Sequence, residues 1–362
     1  MHKEKNGIKL VKTIFSENVL STLASVIISL VIGCMLILMI SDNPIVAIKS
    51  LFVLPLSNKF YIATLLGKAV PLILLGLSAS VTFQADYFNM GAQGQFYVGA
   101  FAAVVASIYI KGLPAVAHII VVMLAGMIVA MIWALIAGFL KATLNISEIV
   151  VTLMLNYSAT LLTGGMLTAG LRDPESSSAL RSKYIPEAIE LENISEHVMV
   201  NWGLLISLVV VYAVYVYLYK TSLGYKARLV GKNRMFAQYG GINISSTILS
   251  SFAISGAIAG LSGAIEILAI HHTFFDDFAS SAGGDGLMVA LLASSNPIGV
   301  VFAGLFFAYI KTGSQIMQQN TAITRDFALI IQAVTIMLIS SRLLSATLNK
   351  RRLRKELRNI DK

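Results

Sequence analysis

The chain has 362 residues, of which 57% are hydrophobic and only 12% are charged, whereas globular proteins carry roughly a quarter charged residues. This composition excludes a water-soluble globular domain. Apolar windows such as residues 20–40 and 116–140 are long enough to cross a bilayer core, which takes about 20 apolar residues. They are apolar on every face, which argues against the alternating strands of a β-barrel. The sequence therefore predicts an all-α, polytopic membrane protein.

The placement of the charges predicts the orientation. Four lysines precede the first apolar run, and basic segments mark the cytoplasmic side. Following the runs in order gives about ten transmembrane helices with both termini in the cytoplasm. On this topology, residues 171–201 form a large extracytoplasmic loop, residues 220–245 a basic cytoplasmic loop, and residues 346–362 a basic cytoplasmic tail. The net charge of +9 therefore indicates orientation in the plasma membrane and no nucleic-acid partner.

Two glycine-rich breaks interrupt the apolar runs, at residues 86–95 and at Gly283–Gly286. Broken backbone at membrane depth is tolerated only where it is buried in protein or lines a wet cavity. The first break precedes an ascending helix and the second a descending one, which suggests an inverted repeat with a substrate path near the breaks. A third pattern, the stripe Gly256, Gly260 and Ala264, predicts close packing of two helices.

Catalytic and metal-binding motifs are missing from the sequence. It contains no phosphate-binding loop of the Walker type, no HExxH and no GxSxG, and its single cysteine, Cys34, excludes a disulfide or a cysteine-rich metal site. We therefore expect no catalytic residue, no metal and no cofactor in this chain. If ATP drives transport, a separate chain must hydrolyse it.

The basic segment 221–243 allows two interpretations. It is either a solvated loop that fixes the orientation, or a short helix whose apolar face enters a groove on a partner. On composition alone the first is favoured, because basic inner loops are the rule in membrane proteins. A family resemblance favours the second. TSLGYKARLVGKN at 221–233 and AQYGGI at 237–242 resemble the cytoplasmic coupling loop of branched-chain-type ABC importer permeases.

Four further phrases resemble the same family and occur in the family's order. They are FNMGAQGQ at 88–95, EIVVTLMLNY at 148–157, SGAIAGLSGAIE at 255–266 and DGLMVALL at 285–292. The chain is most similar to the longer permease subunit of nucleoside importers, including the guanosine and purine nucleoside systems. Where the family usually has Glu in the first phrase, this chain has Gln93, which keeps a hydrogen-bonding role and removes the charge.

The resemblance implies a function and a set of partners. Residues 1–362 would form one permease domain that moves a nucleoside by alternating access and is not itself an enzyme. Its partners would be a second, shorter permease in a heterodimer, an ABC ATPase holding ATP-Mg, an extracytoplasmic substrate-binding lipoprotein, the small solute and membrane lipid. A ribose-like sugar permease is the alternative, followed by a self-sufficient secondary transporter or channel.

The resemblance also selects candidate residues. Asn89, Gln93, Gln95 and Asn156 carry amides suited to the hydroxyls and base edges of a nucleoside along the substrate pathway. Alternatively, these amides satisfy the broken backbone or bond across helices. The candidate residues for coupling to the ATPase are Gly224, Tyr225, Arg228, Gly231, Asn233 and Gly241.

Overall fold

The structure is a computed structural model that describes residues 26–174, 180–191, 193–195, 198–275, 278, 281–324, 326–327 and 329–338. The predicted basic tail, residues 346–362, lies outside this range, as does part of the first and last predicted spans. The described chain is helical apart from irregular connections and one short hairpin, β1 (Asn193–Ser195) with β2 (Val198–Asn201), inside the predicted outer loop.

The helices follow the apolar runs of the sequence. In chain order they are α1 (Val26–Ile40), α2 (Pro44–Phe52), α3 (Lys59–Gln84), α4 (Ala92–Tyr109), α5 (Ala115–Leu144), α6 (Glu148–Met166), α7 (Gly203–Lys220), α8 (Ser222–Lys232), α9 (Arg234–Tyr239), α10 (Ile244–Glu266), α11 (Ala282–Leu292), α12 (Pro297–Asn320) and α13 (Leu329–Leu338). Two π-helical turns, Leu167–Leu171 and Ile267–His271, extend α6 and α10.

Among the described residues, six helices are long and apolar enough to cross a membrane: α3, α5, α6 and α10 with their π turns where present, α7 and α12. Four shorter apolar helices accompany them, including α1, α11 and α13. The all-helical, polytopic architecture is therefore confirmed. The count of about ten crossings, the cytoplasmic termini and the inverted repeat stay predictions.

The chain divides into two compact units. Residues 56–309 form the larger one. Residues up to 55 and from 310 onward, as far as they are described, form the other. In this smaller unit, Gly33 of α1 faces the side chain of Ile331 on α13, and the hydroxyl of Thr335 donates to that of Ser29 over 2.7 Å.

Helix α10 is the centre of the larger unit, where it packs against α5, α4 and α3. Its approach to α4 and α5 leaves no space for side chains. A Cβ on Gly260 would overlap the carbonyl oxygen of Gly126 on α5, and a Cβ on Gly99 of α4 would overlap the Cα of Gly260. On the same helix, Gly256 lies against Ala134 of α5. The stripe of small residues thus lies at a three-helix contact, where close backbone approach supplies the packing.

Gly260→Ala should lower the thermal unfolding midpoint of the purified protein, because the new methyl group would push on the backbone carbonyl of Gly126. Overpacking of this kind costs about 1–3 kcal/mol. Gly284→Ala on α11 is the matched control, since its Cβ would meet no atom within 4 Å. Equal midpoints for the two variants would contradict the packing described above.

Candidate functional site

The connection between α3 and α4 is a folded segment of irregular backbone. After α3 ends at Gln84, the amide of Tyr87 returns to the carbonyl of Thr82 over 3.0 Å, and Asp86 takes a left-handed conformation with φ of 63°. Tyr87 is 5% exposed and Asn89 is fully buried. We call residues 85–91 the break. Because alternate residues of this segment are buried, side chains must satisfy many of its backbone polar groups.

Asn89 and Gln95 form a closed pair of amides. The Asn89 Nδ2 donates to Gln95 Oε1 over 3.0 Å, and the Gln95 Nε2 donates back to Asn89 Oδ1 over 3.1 Å. Asn89 also accepts from the backbone amide of Gly91 at 2.9 Å and donates to the Ser255 hydroxyl of α10 at 2.9 Å. Ser255 in turn meets the hydroxyl of Ser78 on α3 at 2.9 Å. This buried network connects α3, α4 and α10 through the break.

Asn156 holds the break from the side of α6. Its Oδ1 accepts from the backbone amide of Gly94 and its Nδ2 donates to the carbonyl of Met90, both over 2.8 Å. One side chain therefore satisfies a donor and an acceptor on either side of the start of α4. Thr152, one turn earlier on α6, lies beside Gly91.

Gln93 connects the two glycine-rich segments. The second of them, Gly283–Gly286, is not broken backbone as predicted, because it lies within the first turns of α11. Its Oε1 accepts from the backbone amide of Gly283 over 2.7 Å, in the first turn of α11. Gly283 allows this approach, because a Cβ there would overlap the backbone of Gln93. This bond needs an acceptor and not a charge, so the amide can serve where the family usually has a carboxylate. Asp285, 1% exposed, lies on the same turn and accepts from Ser281 over 2.9 Å.

The four predicted pathway residues are thus brought together around the start of α4, and each has its amide bonded to protein atoms. These bonds match the alternative interpretation given above, in which the amides satisfy broken backbone and link helices. A direct role in contacting the cargo stays a prediction.

The basic segment folds into two short helices, each with a side-chain cap. Thr221 accepts from the amide of Gly224 over 3.2 Å at the start of α8, and Asn233 accepts from the amide of Phe236 over 3.0 Å at the start of α9. Such caps satisfy amides that the first helical turn leaves free. Gly241, with φ of 78°, turns the chain toward α10.

The inner face of α8 packs on the break. Gly224, Ala227 and Val230 are buried, and the last two share a hydrophobic cluster with Tyr87. Gly231 lies so close to the end of α3 that a Cβ would overlap the carbonyl oxygen of Gln84. We call this contact of Gly231 with Gln84 and Ala85 the seat of α8.

The outer face of α8 and α9 combines apolar and basic side chains. The exposed fractions are 56% for Tyr225, 65% for Met235, 62% for Phe236 and 85% for Tyr239, and exposed Lys226, Lys232 and Arg234 accompany them. We call these residues the α8–α9 face. Arg228 is not part of it, because its guanidinium lies over the ring of Tyr219, 5.0 Å from the centroid.

Two carboxylates near the ends of helices lie beside basic side chains. Glu148, in the first turn of α6, pairs with Lys141 over 3.0 Å, and Glu266 pairs with His271 over 3.4 Å. Within the described ranges, no group of three or more His, Cys, Asp or Glu side chains could hold a metal ion.

An aromatic cluster lies at the start of α4. It could not be predicted from the sequence, because its rings come from distant positions in the chain. It contains Phe96, Tyr97, Phe101, Phe274 and Phe278.

Comparison with known proteins decides the family. Residues 61–340 match the model described as "Branched-chain amino acid transport system / permease component". The chain belongs to this family. It is accordingly an integral membrane protein and an ABC transporter permease, and the break, α6 and the α8–α9 face all fall inside the matched region.

Three relatives show the range of cargoes. The chain is 31% identical over 324 residues to the glucose ABC transporter permease TsgB13 of Haloferax volcanii, covering 87% of this chain and 85% of the relative. It is 28% identical over 333 residues to the guanosine ABC transporter permease NupP of Bacillus subtilis, covering 90% and 94%. It is 27% identical over 333 residues to the nucleoside ABC transporter permease NupB of Lactococcus lactis, covering 90% and 91%. No solved structure is significantly similar.

Asn156→Leu should destabilise the protein, because it leaves the amide of Gly94 and the carbonyl of Met90 without partners. A buried polar group left unsatisfied costs about 1–3 kcal/mol. The thermal unfolding midpoint measures this loss. Ser158→Ala is the control, since that hydroxyl bonds only to Met154 on its own helix. A midpoint for Asn156→Leu equal to that of the control would show that Asn156 does not support the break.

Proposed function

We propose that this permease imports a nucleoside by alternating access, driven by an ATPase on a separate chain that docks on the α8–α9 face. The observation that carries the proposal is the seat of α8 on the end of α3. Force applied to α8 would reach Gln84 and Ala85 directly, since Gly231 leaves no space between the two backbones. The break begins at those residues, so a displacement there would pass to Asn89 and the helices that it connects.

The α8–α9 face has the composition of a docking surface. Exposed aromatic side chains and Arg are enriched in interfaces and dominate their binding energy. Four large apolar side chains exposed together are also unusual for a surface with no partner. The basic residues would favour a groove with carboxylates at its rim. A conformational change driven through this face requires that the ATPase contact it differently in its two states.

The amides around the break would shape the pathway and not contact the cargo directly. Asn89, Gln95 and Asn156 already have their hydrogen bonds within the protein. Polar side chains one and two residues beyond Asn156 on α6 are left exposed, because Tyr157 is 72% exposed and Ser158 is exposed. We propose that this face of α6 lies toward the second permease of a heterodimer, with the cargo path between the two chains. Lipid alone is a poor neighbour for polar side chains at that depth.

A nucleoside is supported by two relatives with nucleoside cargoes that cover most of this chain. A sugar is the second candidate, supported by the glucose permease at 31% identity. The receptor-bound cargo would be released from an extracytoplasmic lipoprotein onto the outer loops. The ATP-Mg would stay on the partner.

Two sets of variants separate docking from force transmission. Phe236→Ala with Tyr239→Ala should weaken binding of the ATPase, measured by copurification, by about 30-fold or more, because truncating even one interface hot spot costs about 2 kcal/mol or more. Gly231→Ala should leave copurification intact and lower the amount of cargo moved per ATP hydrolysed, because its methyl group displaces the seat.

The controls are matched to each change. Tyr212→Ala removes a ring that is 70% exposed on α7 and should keep the ATPase bound. Gly240→Ala adds a methyl group that meets only ordinary contacts at 3.4 Å and should keep the coupling ratio. If the α8–α9 variant retained full copurification, or Gly231→Ala coupled as well as Gly240→Ala, the proposed division of roles would be refuted.

The cargo is tested by uptake into proteoliposomes that contain the complete complex with its receptor. Labelled guanosine should enter only with ATP, and a hundredfold excess of glucose should leave its rate unchanged. Competition by glucose without competition by other nucleosides would favour the sugar permease. Uptake by this chain and its second permease without the ATPase would instead favour a secondary transporter.

A further inference from the structure

A groove of about 430 Å³ lies at the ends of α4 and α6, away from the break. Its walls come from the last turn of α4, the α4–α5 connection, the π turn after α6 and the segment that follows residue 180. The lining residues are Ile108, Tyr109, Lys111, Gly170, Leu171 and Lys183. The groove therefore combines two cations with an apolar wall.

Among the described residues, both cations lack a counter-ion. Neither Lys111 nor Lys183 forms an ion pair through its ammonium group in the part of the chain that the structure describes. The carboxylate closest in sequence to the π turn, Asp173, pairs with Arg181 over 3.6 Å, and Glu190 pairs with His272 over 3.7 Å. Two ammonium groups on one groove, without a counter-ion among the described residues, favour an anionic ligand.

The backbone of the groove leaves room for such a ligand. The chain kinks after α6 at Gly170, whose backbone angles are not helical, and Leu171 follows the kink. A Cβ on Gly170 would meet no atom within 4 Å, so this wall is open. The site is thus a preformed depression and not only a pair of surface lysines.

We propose that this groove binds the phosphate of an anionic phospholipid. The apolar surroundings favour a lipid over a soluble anion. Tyr109 is 64% exposed at the rim, and α5 begins nearby with Val116 at 71% and Ile120 at 52% exposure, which gives acyl chains an apolar surface to lie on. Tyr and Lys are also the residues that occupy the headgroup level of a bilayer.

The site goes beyond the proposed transport function, although its place in the outer leaflet rests on the proposed orientation. The binding itself does not depend on that orientation, on the ATPase or on the cargo. A failure of the lipid site and a failure of the transport proposal would therefore be distinguishable, because the first is measured on the permease without any uptake assay.

Native mass spectrometry of the full-length chain, titrated with phosphatidylglycerol or phosphatidylcholine, tests the site. We expect one phosphatidylglycerol to bind more tightly than phosphatidylcholine. Lys111→Gln with Lys183→Gln should weaken that binding roughly 10- to 30-fold, since a basic side chain near a lipid surface contributes about fivefold each. The control is Lys49→Gln with Lys59→Gln, which removes two exposed lysines outside the groove and should leave binding unchanged.

Three results would overturn the proposal. Equal weakening by the control pair would show diffuse attraction to surface charge. Equal affinity for phosphatidylcholine would show that the phosphate of an anionic lipid is not recognised. Displacement of the lipid by inorganic phosphate at millimolar concentration would show that the groove takes a soluble anion.

Discussion

Buried backbone that is neither helix nor strand must find its hydrogen bonds in side chains, and this constraint shapes the structure around the break. Without water, each free amide or carbonyl would cost several kcal/mol. Asn156 supplies a donor and an acceptor to Met90 and Gly94, and Asn89 completes Gly91 while closing a pair with Gln95. The start of α4 is therefore held by amide side chains from the break, from α4 itself and from α6.

Close backbone contacts at glycines connect the start of α4 and the break to the neighbouring helices. Gly260 lets α10 touch α4 and α5 at backbone distance, and Gly231 does the same for α8 on the end of α3. Packed backbones cannot deform continuously, so a displacement at one contact is passed on as a rigid shift. The break thus lies between the exposed helix pair α8 and α9 and helix α10 at the centre of the larger unit.

The helices and one of their close contacts could be predicted, because local sequence patterns determine them. The apolar runs gave the helices, and the spacing of Gly256, Gly260 and Ala264 gave their close contact. The polar residues around the start of α4 were also recognisable, since Asn89 and Gln93 stand between apolar segments. The hydrogen-bond partners of these residues could not be recognised. Gly283 is 190 residues away from Gln93, and no local sequence pattern shows which distant backbone N–H group the side chain of a Gln will bind.

The sequence by itself determined that this is a helical membrane protein with a basic segment and two glycine-rich segments, because composition and periodicity set burial in lipid. Tertiary structure alone decided which polar groups are already satisfied and which are free. It showed that the candidate pathway amides form hydrogen bonds with protein atoms around the start of α4, and it brought Lys111 and Lys183 to one groove. Hydrogen-bond satisfaction and charge pairing depend on distances across the fold, which sequence spacing does not fix.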